Sequence, residues 1–536
     1  MKNLPLGRQN FEDIINENLL YVDKTKQVYD LVNRGNLYFL SRPRRFGKSL
    51  LVSLLGHFFS GKKELFDNLY IGKQTDYAFE EFPVLQFNFA AYGHQVDDLK
   101  DKLTREIHGY AEKFEIALEP TSLEEDFGNL IKGIAAKGKP VVLLIDEYDK
   151  PIIDFFTEYE KAKVNQKVLR DFFSPLKNLE SKGHLRFLFI TGVSKFSKVS
   201  LFSDLNNLTD LSNSSNTNDL VGITQQELES SFEEHIGKGI ELLNVTKDEL
   251  LTAIKKWYNG YSFDGEIRLY NPHSLLNFFN NCRFDNYWFE TGTPTFLVEA
   301  IRNEGINPKD LENIEVSNTF FAKFSLEHLD IIGLLYQTGY LTIKKIDRGI
   351  YETFYFLGYP NLEVQRSLEH NLVEAFTYKS SSTVSNALVK MQRGLKSGNV
   401  NLFMDFLQII LSDLKYNWQP PKQYKNETEL FKMWEGYFHA IIYVITSYMN
   451  ISVKAEVTTN KGRVDLISET ADFIYFMEFK LDKSAAEAVE QIKNQQYAMS
   501  YKNSPKTIFL VGVNFSKEER NIESWESEVL ERDFLK

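Results

Sequence analysis

Apolar residues in the first two hundred positions fall into short uninterrupted runs separated by longer amphipathic stretches. Leu37-Tyr38-Phe39-Leu40, the set Val84, Leu85, Phe87 and Phe89, Val141 to Ile145, and Leu185 with Phe187 to Ile190 are runs of strand length. Bounded by turn residues or charges, such runs read as strands buried on both faces, as in a parallel sheet. Leu50, Leu51, Leu54 and Leu55 recur at helical spacing just after the first run. The pattern predicts an α/β fold to about residue 205. The polar stretch Ser212 to Asp219 then reads as a solvated loop and a linker. Residues 224–340 read as helices with loops. There, Trp257-Tyr258-Asn259-Gly260-Tyr261 and Tyr270-Asn271-Pro272 place aromatics around turns that pack a small core or form a lid over a nucleotide.

Strand-like Tyr351 to Phe356 is followed by helices, including the apolar stripe Phe403, Phe406, Leu407 and Ile410. From about residue 428 the order changes to a long helix (Leu430 to Tyr448), strands at Val453 to Val457, Gly462 to Ile467 and Phe473 to Lys480, and a helix from Ala485 to Ala498. The expected domains are 1–211, 220–340, 341–425 and 426–536.

Composition narrows the classes. A chain of 536 residues, 43% hydrophobic, is too long for one ordinary domain. No apolar run is long enough to span a bilayer, and the N-terminal segment lacks the apolar centre of a secretory signal. The single cysteine, Cys282, excludes an intramolecular disulfide framework and a cysteine-rich zinc site, and agrees with a cytoplasmic location. A net charge of −12 argues against coating nucleic acid by bulk electrostatics. It leaves room for a local basic groove, and Arg42, Arg44, Arg45 and Lys48 show positive charge concentrated in one place.

That concentration coincides with chemistry. Ser41-Arg42-Pro43-Arg44-Arg45-Phe46-Gly47-Lys48-Ser49 lies between a strand-like run and a helix-like one, the layout of a phosphate-binding P-loop. Backbone N–H groups and the helix N-terminus would attract a triphosphate, Lys48 would reach its β/γ-phosphates, and Ser49 would hold Mg²⁺. Gly47 permits close backbone approach. Arg42 stands where the general pattern has glycine. Asp146 and Glu147, at the end of the Val141 to Ile145 run, either hold the Mg²⁺ of ATP and polarise a water, or cap the next helix. Thr191, at another strand end, is a γ-phosphate sensor or a turn residue. Lys195 and Lys198 lie just beyond and are candidates to place charge at the transition state.

A second centre lies near the C-terminus. In a strand, Glu478 and Lys480 share a face, and Asp465 on the neighbouring strand of a hairpin can stand beside Glu478. Two carboxylates suit Mg²⁺, and a lysine can orient the attacking water on a phosphodiester. The alternative is a salt bridge on a solvent-facing sheet. Gln491, on the following helix, can reach back towards this centre.

Together these residues resemble a bacterial and archaeal family that joins an AAA-ATPase-like domain to a C-terminal PD-(D/E)XK nuclease-like domain. The likeness rests on Tyr21-Val22-Asp23-Lys24-Thr25, Ser41 to Ser49, Leu144 to Asp149, Thr191-Gly192-Val193, Leu201 to Asp210 and Trp257 to Tyr261. At the C-terminus it rests on Glu435 to His439, Gly462 to Asp465, Glu478-Phe479-Lys480 and Gln491-Ile492. The arginine at position 42 is a trait of that family. The resemblance implies a nucleotide site at Lys48, Ser49, Asp146 and Glu147, and Arg44, Arg45, Gly47 and Thr191 are the further nucleotide-binding candidates. It implies a nuclease site at Asp465, Glu478 and Lys480, with Glu435 and Glu456 as further acidic candidates. The expectation is an α/β protein with a P-loop sheet, a helical lid and a restriction-endonuclease-like C-terminal domain. ATP and Mg²⁺ are the expected cofactors, and nucleic acid, DNA rather than RNA, the expected partner, with oligomerisation open. The rival is a nucleotide-controlled switch whose C-terminal domain binds without cutting.

Overall fold

Strands without charges need cover on both faces, and the chain supplies helices for it. In the computed structural model, β1 (Leu37–Ser41), β2 (Val84–Asn88), β3 (Val141–Asp146), β4 (Leu185–Gly192) and β5 (Thr209–Asp210) form one sheet in the order β2-β3-β4-β1-β5. All its pairings are parallel. The structure describes residues 1–92, 99–155, 158–195, 201–202, 205, 207–288, 295–304, 306–322, 330–414, 427–449, 452–459, 462–495, 497–501 and 503–530. Every residue of β1 and β3 is buried. β4 lies between them, and its register sets Thr191 beside Leu40 and Gly192 beside Ser41. The ends of three strands therefore meet on one edge, where a doubly wound sheet places its ligands. Phe127 stacks on Phe172 at 4.2 Å in the core that covers one face.

The helices Gln225–Ser231 and Lys247–Tyr258 each begin with a capping box, Thr224 with Glu227 and Thr246 with Glu249. Each box satisfies amide donors that a helix start otherwise leaves open. Tyr258, Tyr261 and Tyr270 are fully buried. The polar stretch after β5 differs from its reading as a solvated loop. Ser215–Leu220 is a 3₁₀ turn, and Ser212, Thr217 and Asn218 are buried. Ser212 and Thr217 make bonds within the fold, while Asn213, Ser215 and Asn216 are exposed, so the stretch is solvated only in part. A small antiparallel sheet follows, β6 (Ile314–Ser317), β7 (Thr342–Arg348) and β8 (Thr353–Gly358), in the order β6-β8-β7.

The chain divides into two compact units, Met1–Thr291 with Ile314–Val364, and Gly292–Asn313 with Gln365–Lys536. In the second, Phe403, Leu407 and Ile410 are buried along the helix Val400–Leu411. Its sheet runs β13-β12-β11-β10-β9, from β9 (Ser452–Thr459), β10 (Gly462–Glu469), β11 (Phe473–Leu481), β12 (Thr507–Ser516) and β13 (Asn521–Val529). β11 and β12 are parallel and the other pairs antiparallel. A parallel pair needs a crossover, and the helix Ala485–Asn494 lies within it. Among the described residues, no helix is long and apolar enough to cross a membrane.

Candidate functional site

The loop after β1 turns into the helix Lys48–Phe59 at Gly47, whose φ of 95° is in the left-handed region. A side chain there would strain the turn. Arg45 also takes a positive φ, 65°, and is exposed. Phe46 is buried edge-on against Tyr261 and Phe263, with centroids at 5.0 and 5.7 Å. The carbonyl of Arg44 accepts from Trp288 Nε1 at 3.2 Å and Asn271 Nδ2 at 3.3 Å. The Trp288 amide in turn donates to Glu363 at 2.8 Å. The loop is held from several directions by residues distant in the chain.

Arg42 turns into the fold. It is 1% exposed, donates to the carbonyls of Ser41 at 3.0 Å and Ser212 at 2.6 Å, and lies 3.9 Å over the ring of Phe263. Burial pulls its pKa down to about 10. Lys48 folds back on the loop, donating to the carbonyls of Arg42 at 3.0 Å and Pro43 at 2.9 Å. Burial lowers the pKa of this amine, while Glu147, Asp146 and Asp149 oppose the shift.

Asp146 ends β3 with 2% exposure. Burial raises its pKa, a hydrogen bond from Ser49 counters this, and Oδ1 has no partner. Glu147 follows with φ 52° and is half-buried. Neither carboxylate caps the helix Lys150–Ile153, whose N-cap residue is Asp149. Asp149 itself is a latch. It accepts from the amides of Val193 and Ser194 and from Ser194 Oγ at 2.7 Å, tying the end of β3 to that of β4. Thr191 is fully buried in β4, and its Oγ1 has no partner. Lys195 forms an ion pair with Asp210 at 3.2 Å. Lys198 lies outside the described residues.

In the second unit, Leu466 pairs with Met477, which sets Asp465 and Glu478 one step further along the same ladder. Residues opposite each other in an antiparallel pair share a face. Asp465 Oδ2 accepts the Phe479 amide at 2.8 Å and lies 3.9 Å from His439 Nε2. Glu478 is 3% exposed, pairs with Lys480 at 3.1 Å through Oε1, and leaves Oε2 without a partner. Burial, then the charge of Asp465, pushes its pKa up to about 7. Gln491 donates to Glu478 and accepts from Lys480 at 2.6 Å. Gly512, opposite Glu478 on β12, lets the helix Ala485–Asn494 close over this face, since a Cβ there would meet the Ala485 carbonyl at 2.2 Å. The Glu478–Lys480 pair is thus covered, not solvent-facing. The side chains of Glu435 and Glu456 lie outside those described. Among the described residues, no three carboxylates, histidines or cysteines form a ready-made metal cage. Mg²⁺ commonly keeps several waters and takes only one or two carboxylates, so an orphan oxygen at each centre fits such an ion.

Comparison with known proteins identifies the two regions that carry these centres. Residues 5–202 match a family described as predicted AAA-ATPase, and residues 433–525 match the PD-(D/E)XK nuclease superfamily. An uncharacterized protein from the vnfD 5' region of Azotobacter chroococcum mcd 1 is 34% identical over 526 residues, 97% of this chain and 98% of that protein. The chain belongs to this AAA-ATPase-like family with a PD-(D/E)XK nuclease domain.

Three features of this family member had no clear signal in sequence. Asp149 looks like one more acid after Asp146 and Glu147, and only its distance bonds reveal the latch. Asn271 and Trp288 support Arg44 from more than two hundred residues away. An apolar cavity opens beside Gly47, lined by Tyr21 and Val22, Phe46 and Leu50, and Val221 and Ile223. At its edge Lys24 pairs with Glu227 at 2.6 Å.

Proposed function

We propose that the protein binds ATP with Mg²⁺ at the loop around Lys48 and hydrolyses it, and that this turnover gates cleavage of DNA at the Asp465, Glu478 and Lys480 centre. One observation carries the reading. Each unit holds a buried carboxylate oxygen without a partner, Asp146 Oδ1 and Glu478 Oε2, next to a buried or half-buried lysine. An unmet buried carboxylate oxygen is costly, and a divalent ion is a natural complement.

At the first centre, Gly47 and the helix N-terminus would receive the phosphates, with Arg44 and Arg45 adding charge at the loop. Lys48 would leave the carbonyls of Arg42 and Pro43 to reach the terminal phosphates. Ser49 and Asp146 would hold the cation, Glu147 would orient the water, and the unpartnered Thr191 hydroxyl would donate to the γ-phosphate. The apolar cavity beside Gly47 would take the nucleobase. At the second centre, Asp465 and Glu478 would hold the ion, and Lys480, steadied by Gln491, would orient the nucleophilic water. A bound divalent cation supplies charge stabilisation and a more acidic water at both centres. A cytoplasmic setting accords with a free, unpaired cysteine.

Two knockouts test the halves separately. Lys48→Ala should abolish phosphate release from ATP, and Asp465→Ala should abolish Mg²⁺-dependent nicking while leaving ATP hydrolysis in place. Wild-type protein that neither binds nor turns over ATP would refute the first half. Cutting retained in Asp465→Ala and Lys480→Ala would refute the second.

A further inference from the structure

Buried donors without acceptors gather at one small cavity next to the P-loop. The cavity, about 20 Å³, is lined by Arg42, Lys195, Ser212, Phe263, Tyr336 and Gln337 among others. Arg42 Nε, Tyr336 Oη and Gln337 Nε2 are buried and have no hydrogen-bond partner. Asn218 Nδ2, on the residue that faces Arg42 Nη2, is in the same condition. The amide orientations are fixed by their other ends. Gln337 Oε1 accepts the Lys195 amide at 2.9 Å, and Asn218 Oδ1 accepts from Arg42 at 3.4 Å. Three of these four atoms can only donate.

The carboxylates whose charge reaches this guanidinium, Asp210 and Asp264, are already engaged. Asp210 pairs with Lys195 at 3.2 Å and accepts the Ser212 amide at 2.9 Å. Asp264 accepts the amides of Glu266 at 2.8 Å and Ile267 at 3.0 Å. Arg42 is left with backbone carbonyls, the long contact to Asn218 Oδ1 and an aromatic face, and a buried cation ringed by unmet donors is an unstable arrangement unless an acceptor completes it. The space suits one small, roughly spherical species and is too small for a nucleotide.

We propose that this cavity binds a monovalent, chloride-sized anion held by Arg42, Tyr336 and Gln337. The site is separate from the triphosphate site. It bears on that site because Arg42 and Pro43, which line the cavity, also supply the carbonyls that hold Lys48.

The test uses the full chain. Crystals soaked in bromide should show an anomalous peak within hydrogen-bonding distance of Arg42 Nε, Tyr336 Oη and Gln337 Nε2. In solution at constant ionic strength, the melting temperature should rise saturably as chloride replaces gluconate. Tyr336→Phe keeps the ring and removes one donor, and should weaken the chloride midpoint about fivefold while melting close to wild type in gluconate. Arg42→Ala also removes packing on Phe263, so the tyrosine variant decides. A melting temperature indifferent to chloride, an unaltered midpoint in Tyr336→Phe, or a water in place of bromide would each overturn the proposal.

Discussion

Glu363 offers a measurable link between pH and the support of the P-loop. Its side chain is fully buried and accepts from the Trp288 amide and from Ser274 Oγ, both at 2.8 Å. Trp288 in turn holds the carbonyl of Arg44. Burial, with a smaller contribution from the charge of Asp285, pushes the pKa of Glu363 up to about 8. The folded state therefore keeps a proton that the unfolded chain releases near the usual carboxyl value. Stability from this group is full below that value, declines as pH rises, and is lost by the time pH passes the folded pKa. A displacement from 4.5 to about 8 corresponds to about 5 kcal/mol. Glu363→Gln keeps an acceptor for Trp288 and a polar contact for Ser274 but cannot ionise. Hydrogen exchange of peptides spanning 271–288, corrected for intrinsic rates, reads the local opening free energy. Wild type should lose several kcal/mol of protection between mildly acidic and mildly alkaline pH, while the variant stays nearly flat and is the more protected at alkaline pH. Parallel pH profiles for the two proteins would refute the reasoning.

Other outcomes follow from single contacts. Gly512→Ala should destabilise the second unit by about 1–3 kcal/mol, because its Cβ meets backbone and not a yielding side chain; calorimetry should show this with ATP binding unchanged. Asp149→Ala should cost about 3 kcal/mol or more in urea unfolding, since it strands two amides and a hydroxyl that are now bonded. Gln491→Ala should lower metal-dependent nicking by about tenfold to a hundredfold without altering ATP hydrolysis, because it orients both Lys480 and Glu478. Equal nicking by this variant and wild type would remove Gln491 from the site.

Much of the architecture was legible because the signals are local. Continuous apolar runs fixed the expected strands at Leu37, Val141 and Leu185, and the alternation in Phe473 to Lys480 put Glu478 and Lys480 on one face. Gln491 was within reach of the same logic, one helix further on. What sequence could not supply was partnership over distance. Arg42 reads as a departure within a phosphate loop, yet its bonds go to Ser212 and Asn218, and its ring contact is to Phe263. Ser212 to Asp219 reads as solvated because composition reports polarity but not whether polar groups have partners inside. The pairing of Lys24 with Glu227 spans two hundred residues and leaves no periodic trace.

The back-folded Lys48 has a thermodynamic consequence. An amine bonded to two carbonyls gives the loop a defined shape, so binding of the proposed ligand would ask little backbone rearrangement. The same bonds set a threshold. Under the proposed ATP reading, a ligand must offer oxygens that replace both carbonyls before the amine leaves them, which would favour a multiply charged chain of phosphates over a simple monoanion.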